Sequence, residues 1–395
     1  MIDETLIGFD KNTANILILL DMSAAFDTVD LNKLLSILEH KIGLKGTALQ
    51  WFRSFLLGRQ QKVQIQGLTS QIIFTLYGVP QGSLLGPILF NIYVSSLSDV
   101  ISSLKLSSSS YADDTNIRIK LSLQFQYHNI CNRIPEVMKN VHSWMNKNFL
   151  KLNPEKTEII FLYPPHLKKV PKLNGVFVND NCIRFSNKVK LLGVHIDNEL
   201  NFDHHVSTVV SSCMFHLKNI SKIKRFLKTD ELKKLVHAFM SSKLDYCNSL
   251  LYGINASSLS KLQAVQNRAA RLVLGLPARA TVTDNMLQDL HWLKVECRII
   301  FKICLLVHKY FIDAAPAWLS RNLVLINTNE RLLHDIYLNS KSGRRSFSYA
   351  APRFWNRLPK ATRLLNDAEK FKKSLKTVLF TNANDIIDAA RGYLD

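Results

Sequence analysis

The chain has 395 residues, with 51 Lys and Arg against 31 Asp and Glu and a formal net charge of +20. Nearly half of it is hydrophobic, so it has the means to fold around a core, and its length allows two or three domains. No apolar run approaches the ~18–20 residues of a membrane span, and the start, Met1-Ile2-Asp3-Glu4, lacks the basic and apolar regions of a secretion signal. These features predict an intracellular protein, in nucleus or cytoplasm, that is not secreted and has no membrane partner.

The cysteines, Cys131, Cys182, Cys213, Cys247, Cys297 and Cys304, are scattered without a C-x-x-C pair, which argues against a disulfide framework or a zinc site. The charge is uneven. Residues 1–100 carry 7 Lys/Arg against 8 Asp/Glu, whereas the remainder carries 44 against 23. A long basic tract beside a neutral, carboxylate-bearing part suits a protein that handles a polyanion. The plain alternative is a basic, solvated helical surface.

In chain order, residues 16–20 are a continuous apolar run that predicts a buried strand ending in Asp21. A carboxylate there must look into a polar site, because burying it unpaired costs several kcal/mol. Phe26 and Asp27 follow, and Asp30 opens a helix with Leu31, Leu34, Leu35 and Leu38 at helical spacing. A second helix, 47–57, carries Trp51, Phe52 and Phe55, read here as core residues. Residues 64–66 and 72–76 read as a hairpin pair. The stretch 78–87, GVPQGSLLGP, is a sharp loop where a ligand can approach backbone, with Ser83 placed to cap the next helix. Tyr111-Ala112-Asp113-Asp114-Thr115 puts two acids at a turn before the alternating strand 116–120. Such a pair is often only a solvated turn. It also offers the hard oxygen ligands that magnesium requires.

Asp21 in LLDMSAAFDTVD, the loop GVPQGSLLGPILFNIY and YADDT stand in the order and spacing of motifs A, B and C of reverse transcriptases. More narrowly, they resemble those of LINE-type (non-LTR) retrotransposons. Residues 144–158 resemble motif D and Lys190-Leu191-Leu192-Gly193-Val194 resembles motif E, the primer-grip hairpin. Residues 262–271 and 350–359 resemble segments that follow the polymerase part of these elements.

The resemblance implies an α+β fold: a polymerase-type palm, made of an antiparallel sheet with packed helices, then a mainly helical thumb and C-terminal region. The divisions it suggests are 1–202 for the palm with partial fingers, 203–290 for the thumb and 291–395 for a basic helical C-terminal region. It implies RNA-directed DNA polymerisation, with an RNA template, a DNA primer and deoxynucleoside triphosphates as partners. Two magnesium ions ~3.5–4 Å apart, or manganese as a substitute, would neutralise the entering and leaving oxygens. Asp21, Asp113 and Asp114, with the Met22 carbonyl, would be the metal ligands. Phe26 would wall off a ribose 2′-hydroxyl, with core packing as its alternative role. Gln81 and Gly82 would contact template and nucleotide. Lys156 would protonate pyrophosphate.

Beyond residue 201 the pattern turns helical, with helices predicted over 206–227, 230–251, 295–311 and 369–380, and with Ser257 or Ser258 capping a helix in between. Lys190 and Gly193, then Lys222, Lys224, Arg225, Lys228, Arg268 and Arg271, are the candidates for nucleic-acid contact. Residues 341–345 read as a mobile basic loop. Cys297, Cys304 and His308 share a helical stripe and read as core rather than metal ligands. Only twenty residues precede Asp21, with Lys11 their one basic residue, which predicts a truncated copy lacking the endonuclease and most of the fingers. The competing expectation is a catalytically inactive remnant that only binds nucleic acid.

Overall fold

The computed structural model describes residues 1–122, 127–167, 175–178 and 181–391. The chain divides into two compact units. One comprises residues 14–162 and 167–192; the other comprises residues 1–13, 163–166 and 193–395. Among the described residues no helix is long and apolar enough to cross a membrane.

The first unit is a mixed α/β body around a five-stranded sheet. Its strands are β1 (Thr13–Leu20), β2 (Ser107–Tyr111), β3 (Asp114–Ser122), β4 (Glu158–Leu162) and β5 (Phe185–Ser186), in the spatial order β5–β4–β1–β3–β2. β1 is central, and Ile16, Leu17 and Ile18 are all buried. A strand buried on both faces reads as an unbroken apolar run, which is why 16–20 shows no alternation. β1 pairs antiparallel with β4, Asn15 opposite Leu162 and Leu19 opposite Glu158. β2 and β3 form the hairpin that ends at Tyr111 and Asp114. The sheet is not wholly antiparallel, because β5 runs parallel to β4.

The helix predicted after Asp30 spans Leu31–His40. The Asp30 carboxylate accepts the Lys33 N–H at 2.7 Å, and Leu31, Leu34, Leu35 and Leu38 are its buried face. Two expectations fail nearby. Helix Gly46–Leu56 buries only Leu56. Trp51 is half exposed and stacks on Phe55, so these rings lie on an open face rather than in the core. The predicted hairpin partners also differ. Gln64–Ile65 pairs with Leu68–Thr69, and Gln60–Gln61 with Ile73–Phe74, so one folded-back ribbon holds two nested ladders. The tight turn at Gly67, with φ +86°, sets the inner ladder.

The second unit is mainly helical. Helix Val295–Phe311 lies at its core with Cys297, Cys304 and His308 buried. His308 stacks on Phe371 at 4.0 Å and its Nε2 lies 2.9 Å from the Leu365 carbonyl, while burial pushes the Cys297 thiol up to about 11. The described cysteines are free thiols. The side chain of Cys131 falls outside the described residues.

The opening helix, Ile2–Asp10, belongs to this second unit. Asp3 accepts the N–H and O–H of Ser348 at 3.0 and 2.6 Å, which caps the first turn of helix Phe347–Asn356. The predicted helix over 230–251 is broken. It runs Thr229–Val236, widens into a π turn at His237–Ser241, resumes over Ser242–Asp245 and stops at extended Tyr246, ahead of Cys247 with φ +50°. Residues 341–345 are a packed turn. Gly343 is buried, the Arg344 Nε donates to the Leu338 carbonyl at 3.0 Å, and Asp10 accepts the Ser340 N–H.

Helices Asp203–Ile223 and Ala256–Leu274 run side by side in the same direction, as their ends show. At the N-terminal ends the Asp203 carboxylate accepts from Ser258 Oγ at 2.6 Å and Asn255 Nδ2 at 2.7 Å. At the C-terminal ends Lys224 Nζ lies 3.7 Å from where a Gly275 Cβ would stand. The cap of Ala256–Leu274 is Asn255, which accepts the Ser258 N–H at 2.7 Å. Neither Ser257 nor Ser258 caps it; Ser258 instead donates to Asp203. The Asn255→Ala variant is therefore expected to lose about 1 kcal/mol of stability, or more because Asp203 loses a donor, as measured by chemical denaturation.

Candidate active site

Asp21 leaves the end of β1 and its backbone is pinned from the side. Its carbonyl accepts the Asn153 N–H at 2.9 Å and its own N–H meets Thr157 Oγ1 at 3.4 Å. Met22 and Ser23 pair with Leu152 and Lys151. The Thr157 hydroxyl closes the turn onto the Asn153 carbonyl at 2.7 Å. Exposed Lys156 sits in this turn, so the chain segment that anchors Asp21 is also the one that carries the lysine.

Asp113 and Asp114 come from the β2–β3 hairpin. Tyr111 pairs with Asp114, leaving Ala112 and Asp113 as a two-residue turn with Ala112 at φ +54°. A left-handed alanine costs roughly 1–2 kcal/mol, so this turn is strained at the point where the acids are presented. Because β3 lies beside β1, the hairpin brings residues 113 and 114 to the same end of the sheet as Asp21. The Asp114 carboxyl is held above the ordinary carboxylate value, first by desolvation, although the residue is largely exposed, then by the charges of Asp113 and Asp21.

Among the described residues no ion pair neutralises any of the three acids. Nor, among those residues, are three His, Cys, Asp or Glu side chains drawn close enough together to enclose a metal ion. Asp114 feels the charges of Asp113 and Asp21, yet the three acids are not collapsed onto a shared point. Their uncompensated like charge fits a divalent cation better than it fits any group the chain itself supplies.

The loop of residues 78–86 packs against the segment after Asp21. The Gly78 N–H donates to the Val29 carbonyl at 2.8 Å and the Val79 N–H to the Phe26 carbonyl at 2.9 Å. Gly78 has φ +85°, and a Cβ there would stand 2.9 Å from the Asp27 Cα, so the approach requires glycine. Gln81 Nε2 donates to Asp27 Oδ1 at 2.7 Å, while Gly82 is exposed with φ +78° and nothing near it. The N-cap of helix Gly86–Ser103 is Leu85 and not Ser83; Ser83 Oγ, two residues further upstream, accepts the Gly86 N–H at 2.9 Å.

Phe26 is half-buried and packs on Phe90 at 4.7 Å, so its ring serves the core on one side and remains partly open. Sequence reasoning missed two residues here. Asp27 holds Gln81 across 54 positions, and Arg59 donates to the Gly78 carbonyl and to Leu56 at 3.1 Å, with burial lowering its pKa. No spacing signal connects either residue to the loop it supports.

Of the basic candidates, Lys190 is an exposed residue of the first unit. In the second unit, Gly193 is exposed at φ +83° beside the Tyr246 ring. Lys222, Arg225, Lys228 and Arg268 are exposed and Lys224 is half-buried, gathered about the C-terminal ends of the two parallel helices, where helix dipoles favour cations. Arg271 departs from the expected role. Its Nη1 holds the Ala280 carbonyl at 3.0 Å, which ties it to the following loop.

A family described as reverse transcriptase (RNA-dependent DNA polymerase) matches residues 3–196. Residues 3–196 thus carry a reverse transcriptase domain, and the relatives found are RNA-directed DNA polymerases of mobile elements. Among its relatives, an RNA-directed DNA polymerase from mobile element jockey of Drosophila funebris is 26% identical over 320 residues. That alignment covers 77% of this chain and 33% of the relative. A probable RNA-directed DNA polymerase from transposon BS of Drosophila melanogaster is 25% identical, over 68% of this chain and 30% of its own length. The chain thus spans about a third of these relatives. A telomerase structure from Candida albicans overlaps 76% of the chain and 51% of its own at 14% identity and a TM-score of 0.33, too slight a likeness to bear on the fold.

The reverse transcriptase domain should show its electrostatic strain in metal-free buffer. A carboxyl with a raised folded pKa makes stability fall as pH rises from its unfolded value through its folded value, and the loss persists above that. Asp114→Asn removes this term. The variant is expected to melt higher than wild type at pH 7 with chelator present, and the gap is expected to close at acid pH. A lower melting temperature at pH 7 would show that the acids are not in conflict.

Proposed function

We propose that this chain provides the polymerising core of an RNA-directed DNA polymerase. The observation that carries the proposal is the meeting of Asp21 with Asp113 and Asp114 at one end of the sheet, unneutralised by any basic partner among the described residues. The reaction joins a primer 3′-hydroxyl to the α-phosphate of a deoxynucleotide and releases pyrophosphate. Reverse transcriptases work with divalent metal ions, and here Asp21, Asp113, Asp114 and the Met22 carbonyl would hold magnesium, which neutralises phosphate charge when bound.

The chain's own groups do the rest. Lys156, carried by the turn that pins Asp21, is the proton donor to the leaving group. Phe26, fixed on Phe90, limits the space beside the sugar. Gln81, held by Asp27, and Gly82, open at the loop tip, face template and nucleotide. Lys190 and Gly193 would grip the primer. Lys222, Lys224, Arg225, Lys228 and Arg268 would meet the phosphates of the duplex, whereas Arg271 supports that surface from within.

Primer extension on an RNA template tests this reading. Asp113→Ala is expected to abolish extension while leaving duplex binding nearly unchanged, because the acid acts on the transition state and the cations carry affinity. Phe26→Val is expected to retain deoxynucleotide use and admit ribonucleotides. Robust extension by Asp113→Ala would remove the acids from the reaction.

Binding itself is testable without turnover. With about five phosphate contacts, affinity for an RNA–DNA hybrid should fall ~10²–10³-fold between 50 and 200 mM salt. A flat salt response would leave the basic helices as a solvated surface.

A further inference from the structure

The helical unit contains a cavity of about 650 Å³ that no part of the polymerase chemistry uses, and it lies beyond the residues matched by the reverse transcriptase family. Its size falls in the range of small-molecule sites. Three kinds of chemistry line it. Ile254, Leu259 and Ile300 are among its aliphatic walls. Arg345 and Lys341 bring positive charge. Asp388, with Glu296, brings carboxylate oxygens.

Arg345 is set into the wall with care. Its Cγ occupies the space a side chain at residue 253 would need, because a Cβ on Gly253 would stand 2.6 Å from it. Gly253 also has φ +69°, a backbone state that suits glycine. The Arg345 Nε donates to the Tyr252 carbonyl at 3.5 Å and the guanidinium lies 5.8 Å from the Phe202 ring centroid. Its Nη2 is fully buried and has no hydrogen-bond partner.

We propose that this cavity takes one unstacked nucleotide of a single-stranded nucleic acid, with its base between the aliphatic walls and its phosphodiester against Arg345 and Lys341. The proposal rests on the reading of the chain as a nucleic-acid polymerase, and it adds a site on the other unit. A nucleotide is the ligand class that uses all three linings. A purely apolar molecule leaves the cations idle, and a fatty acid leaves Asp388 facing hydrocarbon. A base with an exocyclic amine can donate to a carboxylate, as cytosine N4 does to Asp or Glu. Adenine and cytosine are therefore favoured over uracil. Single strands are recognised in this way, by bases splayed out of the stack and read on their edges.

The test is fluorescence anisotropy on the full chain at fixed salt, with short labelled single strands of adenine, cytosine or uracil and, in parallel, an RNA–DNA hybrid. Wild type is expected to bind the adenine and cytosine strands at least about fivefold more tightly than the uracil strand. Ala256 lines the cavity and is exposed at the first position of its helix, so Ala256→Trp blocks the opening without entering the core. It is expected to weaken adenine binding about tenfold and erase the base preference, with hybrid binding unchanged. Arg345→Met should weaken all three strands.

Equal binding of the three strands by wild type, or an Ala256→Trp variant that keeps the preference, would overturn the proposal. So would displacement of the adenine strand by decanoate at the cavity. Loss of salt-dependent hybrid binding alone would instead overturn the duplex reading of the basic helices and leave this one standing.

Discussion

Repulsion between carboxylates governs the first unit. Asp21, Asp113 and Asp114 are brought to one end of a sheet and are left without cationic partners among the described residues; desolvation first, and then the charges of Asp113 and Asp21, make Asp114 harder to ionise than a free carboxyl. A fold optimised only for stability would separate them or place an arginine between them. Instead the surrounding structure holds them in place. Asp21 is fastened by Asn153 and Thr157, and the hairpin bearing Asp113 and Asp114 turns through a left-handed alanine. Strain and like charge at one place are tolerated when a site needs both acids presented together.

The same economy appears in the loop of residues 78–86. Phe26, Asp27 and Val29 on one side and Gly78, Val79 and Gln81 on the other are joined by backbone bonds and one side-chain bond. The segment that follows Asp21 and the glycine loop therefore behave as one body. A change at Asp27 would reach Gln81 directly, and a side chain at Gly78 would push the two apart. The distribution of charge has a structural logic as well. In the second unit two helices run in parallel, with Asp203 at their shared N-terminal end, where hydrogen bonds from Ser258 and Asn255 hold its pKa below the usual carboxylate range. Lys224 and its neighbours gather at the opposite end. Paired helix dipoles reinforce that polarity, so the cations collect where they are stabilised and exposed at once.

The helical unit is also where the opening helix meets the segment of residues 340–348. Asp3 caps the helix that begins at Phe347, and Asp10 holds the turn at Ser340. The opening residues therefore serve the packing of the C-terminal segments, and the turn that carries Arg345 is held rigidly enough to line a cavity. Trp51 and the ribbon over residues 60–77 show the opposite case. Their apolar side chains lie open, with Leu68 at 81% exposure, so apolar content there does not mean core.

Local chemistry made much of this legible from the sequence alone. A short, unbroken apolar run reads as a strand buried on both faces, which residues 16–20 are. Asp30 before four leucines at helical spacing signals the start of an amphipathic helix. The order of the three motifs resembles that of reverse transcriptases and picks out three acids and a glycine loop. These signals are short-range, and each carries its reason within a few residues. What the tertiary structure decided is long-range. Only the fold sets β3 beside β1, joins Asp27 to Gln81, turns Arg271 inward to Ala280 and gives the cap of a helix to Asn255 while its neighbour Ser258 reaches Asp203. Such pairings depend on which surfaces meet once the core has formed, and a linear pattern holds no term for that distance.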